Sequence, residues 1–191
     1  MAVAIAPASH AADADAGKAK SATCAACHGA DGKAIIPAYP NLAGQHAGYT
    51  AKQLMNFRDG DRVNPVMSPM AAGLSDEDIA DLAAYYESLP AIPGVADESA
   101  ELQKGADIFQ GGIAGTGIPA CSGCHAPNGS GNPAANFPAL SGQDAGYLEA
   151  QLKAFRAGER QNDPGSMMRS LAKRMTDDEI AALANYIAGL H

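Results

Sequence analysis

Two short clusters of cysteine and histidine are the residues of this sequence best suited to chemistry. The first reads Cys24-Ala-Ala-Cys27-His28 and the second reads Cys121-Ser-Gly-Cys124-His125. Together they contain all four cysteines of the chain. Four cysteines can form two disulfides, bind one zinc ion, act as redox thiols or attach a cofactor, and their spacing decides among these uses.

The spacing favours covalent attachment of haem. Two thiols one helical turn apart can form thioethers to the two vinyl groups of a porphyrin, and the histidine that follows then lies under the iron. Zinc is disfavoured because each cluster lacks a fourth ligand at the usual spacing. A thioredoxin-like pair lacks its strand–helix context, and disulfides leave the histidines unexplained. We therefore predict two haem c groups, with these anchors and proximal ligands: Cys24, Cys27, Cys121 and Cys124, with His28 and His125.

The two clusters lie in two copies of one unit. Tyr39-Pro-Asn-Leu-Ala-Gly-Gln45 returns as Phe137-Pro-Ala-Leu-Ser-Gly-Gln143, and Leu74-Ser-Asp-Glu-Asp-Ile79 returns as Met175-Thr-Asp-Asp-Glu-Ile180. Such repetition of several blocks in one order indicates a repeated structural unit. Each copy then positions one cysteine–histidine cluster.

Helix-breaking residues separate the copies. Leu89-Pro-Ala-Ile-Pro-Gly94 ends the first copy, and an acidic stretch leads into the second. We predict an N-terminal domain of residues 1–92, a linker of residues 93–100 and a C-terminal domain of residues 101–191. Within the first domain, residues 1–12 are read either as a truncated signal remnant without a basic leader or as a frayed end.

Each copy reads as helical, with no alternating strand pattern, which predicts an all-α fold. Ser75 and Thr176 are followed three residues later by Asp78 and Glu179, as in a capping box, and apolar residues at helical spacing come next. Four further helices are predicted, and a loop inserted only in the second copy covers residues 111–119. The helices span 17–22, 49 to about 57, 102–109 and 147 to about 155.

A haem iron also needs a sixth ligand, and the repeat selects two methionines for this role. Met67 and Met168 stand at the same distance before Ser75 and Thr176, so they occupy equivalent positions. The neighbouring methionines have no methionine counterpart, since Met70 aligns with Leu171 and Met167 with Val66. We predict Met67 and Met168 as axial ligands and the other methionines as apolar filler.

Composition excludes several classes of protein. A net charge of −8 disfavours a nucleic-acid-binding domain, and 47% hydrophobic residues disfavour intrinsic disorder. No apolar run approaches the ~18 residues of a transmembrane helix. Aromatic residues make up only 5%, with no tryptophan. Haem, as a large flat apolar group, would fill the space that these few aromatic side chains leave in two small cores.

These motifs resemble class I cytochromes c, and the tandem arrangement is similar to the dihaem cytochrome c4 family. The likeness runs from about Ala16 to His191. It implies an all-α fold of two tandem class I cytochrome c domains related by an internal repeat, each with one His/Met-ligated haem. It also implies electron transfer to a terminal oxidase by a protein that is soluble in the periplasm or associated with the membrane periphery.

The resemblance extends to residues around the haem. It implies that the carbonyls of Pro40 and Pro138 accept hydrogen bonds from the proximal histidines, which fixes the orientation of the imidazoles. Tyr85 and Tyr186 are expected to pack where the first and last helices of each copy cross, near Gly17 and Gly105. Six side chains are candidates for propionate contacts, with helix packing, capping or a solvated helix end as alternatives: Tyr49, Tyr147, Gln45, Gln143, Arg58 and Arg156.

The leading hypothesis is a periplasmic electron carrier without enzymatic activity. Its expected partners are redox proteins, such as a quinol–cytochrome c reductase as donor and a terminal oxidase or reductase as acceptor. One alternative is a dihaem peroxidase-type enzyme, for which His46 is the residue of interest because its counterpart in the second copy is Asp144. Another alternative is the haem subunit of a dehydrogenase complex.

Overall fold

The computed structural model describes residues 11–98 and 101–191, and the regular elements of these ranges are helices joined by turns and loops. They contain two isolated β-bridges and no strand, so the all-α prediction is confirmed. In the first copy the helices are α1 (Ala14–Lys20), α2 (Ala22–His28), α3 (Ala47–Asp59), α4 (Met67–Ala71) and α5 (Asp76–Ser88). In the second they are α6 (Leu102–Gly111), α7 (Ser122–His125), α8 (Ala145–Ala157), α9 (Met167–Ala172) and α10 (Asp177–Ala188). Residues 1–10 of the suggested signal remnant and residues 99–100 of the linker lie outside the described ranges.

The first and last helices of each copy cross at a glycine, as predicted. A Cβ atom on Gly17 would lie 2.0 Å from the Asp81 carbonyl oxygen and 2.8 Å from the Tyr85 Cβ. At the equivalent crossing, a Cβ atom on Gly105 would lie 2.2 Å from the Ala182 carbonyl oxygen. Backbones this close leave room only for hydrogen at these two positions.

Local signals explain where the terminal helix of each domain begins. Both capping boxes are present, with the Ser75 hydroxyl accepting from the Asp78 amide and the Thr176 hydroxyl accepting from the Glu179 amide. The bounds predicted for the first helix, residues 17–22, are wrong, because α1 spans Ala14–Lys20 and ends before Ser21. The Ser21 hydroxyl donates to the Lys18 carbonyl at 2.8 Å and helps to end α1 before α2, which carries the first cysteine–histidine cluster.

Each copy has its own apolar core, built around the helix crossing and the first cysteine of the cluster. In the N-terminal domain, Leu82, Tyr85 and Tyr86 of α5 form the buried cluster on which Cys24 packs. In the C-terminal domain, a larger buried cluster packs against Cys121. The fold therefore places one thiol of each pair at the edge of an apolar interior.

The segment between the domains lies on the surface of the second domain. The Asn185 side chain accepts from the Asp97 amide at 2.8 Å and donates to the Asp97 carbonyl at 3.0 Å. A Cβ atom on Gly94 would lie 1.9 Å from the Ala188 carbonyl oxygen. The described part of the connection is therefore held closely against α10.

Candidate haem sites and the domain interface

The two proximal-ligand candidates have the same surroundings. His28 is the last residue of α2 and His125 the last residue of α7, and both side chains are buried. The Nδ1 atom lies 2.9 Å from the Pro40 carbonyl oxygen in the first domain and 3.0 Å from the Pro138 carbonyl oxygen in the second. The predicted proline contacts are therefore confirmed.

This geometry prepares each imidazole to bind a metal. A carbonyl can only accept, so Nδ1 carries the proton and Nε2 keeps its lone pair. Burial lowers the pKa of both His28 and His125, which favours the neutral form that ligates iron. An aromatic ring flanks each imidazole, with centroids 6.2 Å apart for Tyr39 and 6.1 Å apart for Phe137.

The first cysteine of each pair lies in surroundings that disfavour thiolate chemistry. Cys24, Cys27 and Cys121 are half-buried and Cys124 is exposed. Burial raises the pKa of the Cys24 thiol, and it raises that of Cys121 to about 11. Reactive and zinc-binding cysteines need a lowered pKa, and the described residues contain no group of side chains that could hold a metal ion by protein ligands alone.

The surroundings fit a large flat apolar cofactor. In the N-terminal domain, half-buried apolar side chains pack around Cys24 and the buried cluster: Leu42, Leu54, Leu74 and Leu89. The hydroxyl of Tyr86 in the same cluster is buried without a hydrogen-bond partner among the described residues. A group bound against Cys24 would cover the leucines and offer a neighbour to this hydroxyl, so the residues present suit haem c.

Each domain has two neighbouring methionines, Met67 and Met70 in the first and Met167 and Met168 in the second, and they differ in exposure. Met67 begins α4, where its amide donates to the Asn64 side chain at 2.9 Å, and Met168 lies in the first turn of α9. Met67 and Met168 are half-buried, whereas Met70 and Met167 are exposed. Within each pair, the residue predicted as an axial ligand is the more covered one.

Arg58 and Arg156 bind carboxylates and carbonyls of their own domains. Arg58 donates to the Asp76 carboxylate at 2.7 Å and to the Leu74 carbonyl at 3.2 Å. Arg156 donates in the same way to Asp177 and to the Met175 carbonyl. Each arginine therefore joins the end of one helix to the start of the terminal helix, and its contact with a propionate stays a prediction.

Gln45 and Gln143 bind the opposite domain, a role that the sequence did not indicate. The Gln45 side chain accepts from the Ala139 amide at 2.9 Å and donates to the Ala139 carbonyl at 2.8 Å. Gln143 makes the same pair of bonds to Asn41, at 2.8 and 2.9 Å. Since Asn41 and Ala139 are equivalent in the repeat, the domains meet around a pseudo-two-fold axis.

Arg62 and Arg160 follow the same symmetry, and the sequence did not indicate their role at the interface either. Arg160 is buried and donates to Tyr49 and Gln53 of the first domain, at 2.9 and 3.0 Å. Arg62 donates to Gln151 of the second domain at 2.7 Å. A signal that could have indicated this role is their equivalent position in the repeat, within Arg62-Val-Asn64 and Arg160-Gln-Asn162.

The interface has one cation without a symmetric counterpart. Lys52 of α3 donates to the Asn162 carbonyl of the second domain at 2.6 Å, while the equivalent residue of α8 is Ala150. Burial lowers the pKa of Lys52, and the positive charges of Arg160 and Arg62 lower it further. Three cations, Lys52, Arg62 and Arg160, therefore lie close together at the interface, with the carboxylates of Asp61 and Asp163 near them.

Replacing Gln45 with alanine should loosen this interface. The Ala139 amide loses its acceptor, and we expect its hydrogen exchange to accelerate about tenfold, which corresponds to the net free energy of one or two hydrogen bonds. Amide exchange followed by NMR measures the effect. The control is Gln103→Ala, because the Gln103 side chain is bonded to Asp107 of its own helix. Unchanged exchange at Ala139 in the Gln45 variant would contradict the interface described.

His46 also joins the two domains. Its Nε2 atom lies 2.8 Å from the Ser130 carbonyl oxygen, in the loop after the second cysteine–histidine cluster. Its counterpart Asp144 instead caps α8 by accepting from the Gly146 amide at 2.8 Å. The His46 ring is therefore used in a contact between domains, which removes the reason to connect it with a peroxidase site.

No helix in the described ranges is long and apolar enough to cross a membrane.

Comparison with known proteins gives a consistent result over both domains. The family described as Cytochrome c matches residues 14–90 and 102–191. Cytochrome c4 of Thiocapsa roseopersicina is 48% identical over 180 residues, covering 93% of each chain. The thiosulfate dehydrogenase electron acceptor of Stutzerimonas stutzeri is 46% identical over 170 residues, covering 87% of this chain and 78% of that one. The crystal structure of reduced recombinant cytochrome c4 from Pseudomonas stutzeri superposes with a TM-score of 0.91 at 44% identity, covering 95% of this chain and all of the other.

Proposed function

The chain belongs to the cytochrome c family, among its dihaem cytochrome c4 proteins, and from this membership we propose that it carries electrons in the periplasm between respiratory donors and a terminal oxidase or reductase. It is an electron-transfer protein with two haem c groups and is not an enzyme. The periplasmic location follows from chemistry, because attachment of haem to Cys-x-x-Cys-His implies assembly outside the cytoplasm.

We propose that equivalent residues of the two domains have the same roles in binding haem. The anchors are the four cysteines, the proximal ligands are His28 and His125, and the axial ligands are Met67 and Met168. The domains are residues 1–92 and 101–191 with a linker of 93–100, a division supported by the family match to 14–90 and 102–191. Each bound haem supplies one reversible one-electron iron couple, with a potential raised by methionine ligation.

The single observation that carries this proposal is the repeated imidazole geometry. In both domains a buried histidine follows the cysteine pair and is oriented by a proline carbonyl at 2.9 or 3.0 Å. Such an outer contact fixes the ring and raises its basicity as a ligand. With a histidine and a methionine as ligands, each haem would be suited to electron transfer and would leave no place for a substrate, which disfavours a peroxidase.

A second candidate function is to accept electrons directly from a dehydrogenase. It is favoured by the 46% identity to a thiosulfate dehydrogenase electron acceptor over most of this chain. This candidate differs from the first in the donor only. The protein would then connect oxidation of a sulfur compound to the respiratory chain.

Stopped-flow mixing of the oxidised protein with each donor tests the two candidates. Rapid reduction by a quinol–cytochrome c reductase with quinol supports the first, and rapid reduction by thiosulfate dehydrogenase with thiosulfate supports the second. Reoxidation by a terminal oxidase completes the test of the carrier role. A protein that turns over hydrogen peroxide, or that none of these partners reduces, would contradict both.

A further inference from the structure

The segment that leads to the proposed axial ligand is built differently in the two domains. In the first domain, Met67 follows Arg62 by five positions. In the second, Met168 follows the equivalent Arg160 by eight positions, so the segment is three residues longer. A longer connection has more conformations available to it, and additional contacts are needed to keep its end in one place.

The longer segment contains two residues in the left-handed backbone conformation. Gly165 has a φ of 60° and Ser166 a φ of 56°. They lie immediately before α9, in which Met168 is the second residue. Glycine adopts this conformation freely, but for serine it is unfavourable and persists only where surrounding contacts fix it. The backbone that leads to Met168 is therefore held by contacts and not by its own preference.

Arg169, the residue after Met168, supplies such contacts. Its Nη2 atom donates to the Ser166 hydroxyl at 2.8 Å, its Nη1 atom to the Gln161 side chain at 3.2 Å and its Nε atom to the Asp163 carboxylate at 2.7 Å. The backbone amide of Arg169 donates to the other oxygen of the same carboxylate at 3.0 Å. One side chain thus ties three points of the segment to the start of α9.

The carboxylate in this arrangement is almost completely buried. The Asp163 side chain is 3% exposed, whereas that of Arg169 is 27% exposed. Loss of one partner of such a pair has a large effect, because the buried charge then lacks the group that donates to it. The planar guanidinium also fixes the direction of each bond, which a single-point cation does not do.

The first domain holds its methionine with neutral groups. The Asn64 side chain accepts from the amides of Val66 and Met67, both at 2.9 Å. Ser68 stands directly after Met67, where the second domain has Arg169, and its hydroxyl accepts from the Asn64 amide at 3.1 Å. None of these contacts involves a charged side chain, so the ion pair is a feature of the second domain.

We propose that Arg169 is a positioning residue that holds Met168 in place as a ligand to the iron of the C-terminal haem. This inference rests on the ligand assignment proposed above. An external ligand can bind the iron only in the fraction of molecules in which the methionine has left it, so its observed affinity is proportional to that fraction. Arg169 keeps this fraction small by fixing the segment that leads to Met168.

Imidazole titration of the oxidised, haem-loaded protein tests the proposal, because imidazole displaces methionine and removes its charge-transfer absorption. Arg169→Ala should raise the affinity of one haem for imidazole by about ten- to a hundredfold, the range of hydrogen bonds to a charged group. The other haem should keep its affinity. In a Met67→Ala background, where the remaining band belongs to the C-terminal domain, the titration should show only the raised affinity.

Arg174→Ala is the matched control. Arg174 follows α9 and donates to the carbonyls of Ser170 and Thr116, at 3.1 and 2.9 Å, instead of to the segment before Met168. Its loss should leave the imidazole affinity of both haems unchanged.

A second variant covers the case in which Arg169→Ala fails to fold because Asp163 has lost its donor. Asp163→Asn combined with Arg169→Ser removes both charges together and introduces the residue types that hold Met67 in the first domain. It should also raise the imidazole affinity of one haem.

Unchanged imidazole affinity in both variants would overturn this inference alone, even with a lower free energy of unfolding, because the ion pair would then have only a structural role. An equal rise at both haems would also overturn it, since the effect would not be confined to the second domain. If the unaltered protein lacks a methionine charge-transfer band for the C-terminal haem, the ligand assignment fails and this inference fails with it.

Discussion

Replacing Met67 with alanine should remove half of the charge-transfer absorption that methionine–iron coordination gives, and replacing Met168 should remove the other half. Each domain has one methionine at this position of the repeat, and it is more covered than its neighbour. Loss of the ligand leaves the iron five-coordinate or bound to water. Near-infrared absorption of the oxidised protein measures the band.

The same substitutions should also lower one of the two reduction potentials. Methionine ligation raises the potential of haem, and axial ligands set it over a range of about 0.8 V, so we expect a fall on the order of 0.1–0.3 V in the affected domain. The controls are Met70→Ala and Met167→Ala, because these side chains are exposed. If either control removes half of the band instead, our ligand assignment is wrong.

Replacing Gly17 or Gly105 with alanine should destabilise the domain that contains it by about 2–3 kcal/mol, the typical cost of inserting a group into a closely packed contact. The added Cβ would lie 2.0 Å from a carbonyl oxygen at the first position and 2.2 Å at the second. Neither contact can be relieved by rotation of a flexible side chain, so the crossing helices must separate. Guanidinium unfolding followed by far-UV circular dichroism measures the change.

Each of these variants has a control in its own domain. A Cβ atom added to Gly73 or Gly111 meets nothing within 4 Å, and neither residue has a positive φ. Gly73→Ala and Gly111→Ala should therefore leave stability unchanged or raise it slightly, because alanine restricts the unfolded chain. Equal stability of Gly17→Ala and Gly73→Ala would contradict the close helix crossing.

The sequence alone was enough to predict features that depend on residues close together in the chain and on the internal repeat. Ser75 and Thr176 identified the starts of the terminal helices, and the cysteine–histidine spacing predicts the attachment sites. The resemblance to class I cytochromes c also indicated that the first and last helices cross near Gly17 and Gly105, as the structure shows. These features repeat because each domain must satisfy the same local requirements.

The contacts between domains could not be predicted in the same way. A side chain such as Gln45 has an equivalent in the other copy whether it binds its own domain or the opposite one, so a repeat cannot tell the two cases apart. The ion pair of Arg58 could not be predicted for a related reason. An arginine near a helix end was recognisable, but the nearby Asp76 carboxylate that binds it depends on how α3 meets α5.

The central claim is that the protein holds two six-coordinate haems with histidine and methionine ligands, one in each domain, and transfers electrons without binding a substrate. Optical and electron paramagnetic resonance spectra of the purified, oxidised protein, with haem quantified per chain, test it most directly. We predict two haems per chain, a methionine charge-transfer band of matching intensity and no high-spin signal. A five-coordinate haem or a bis-histidine haem in either domain would contradict this account.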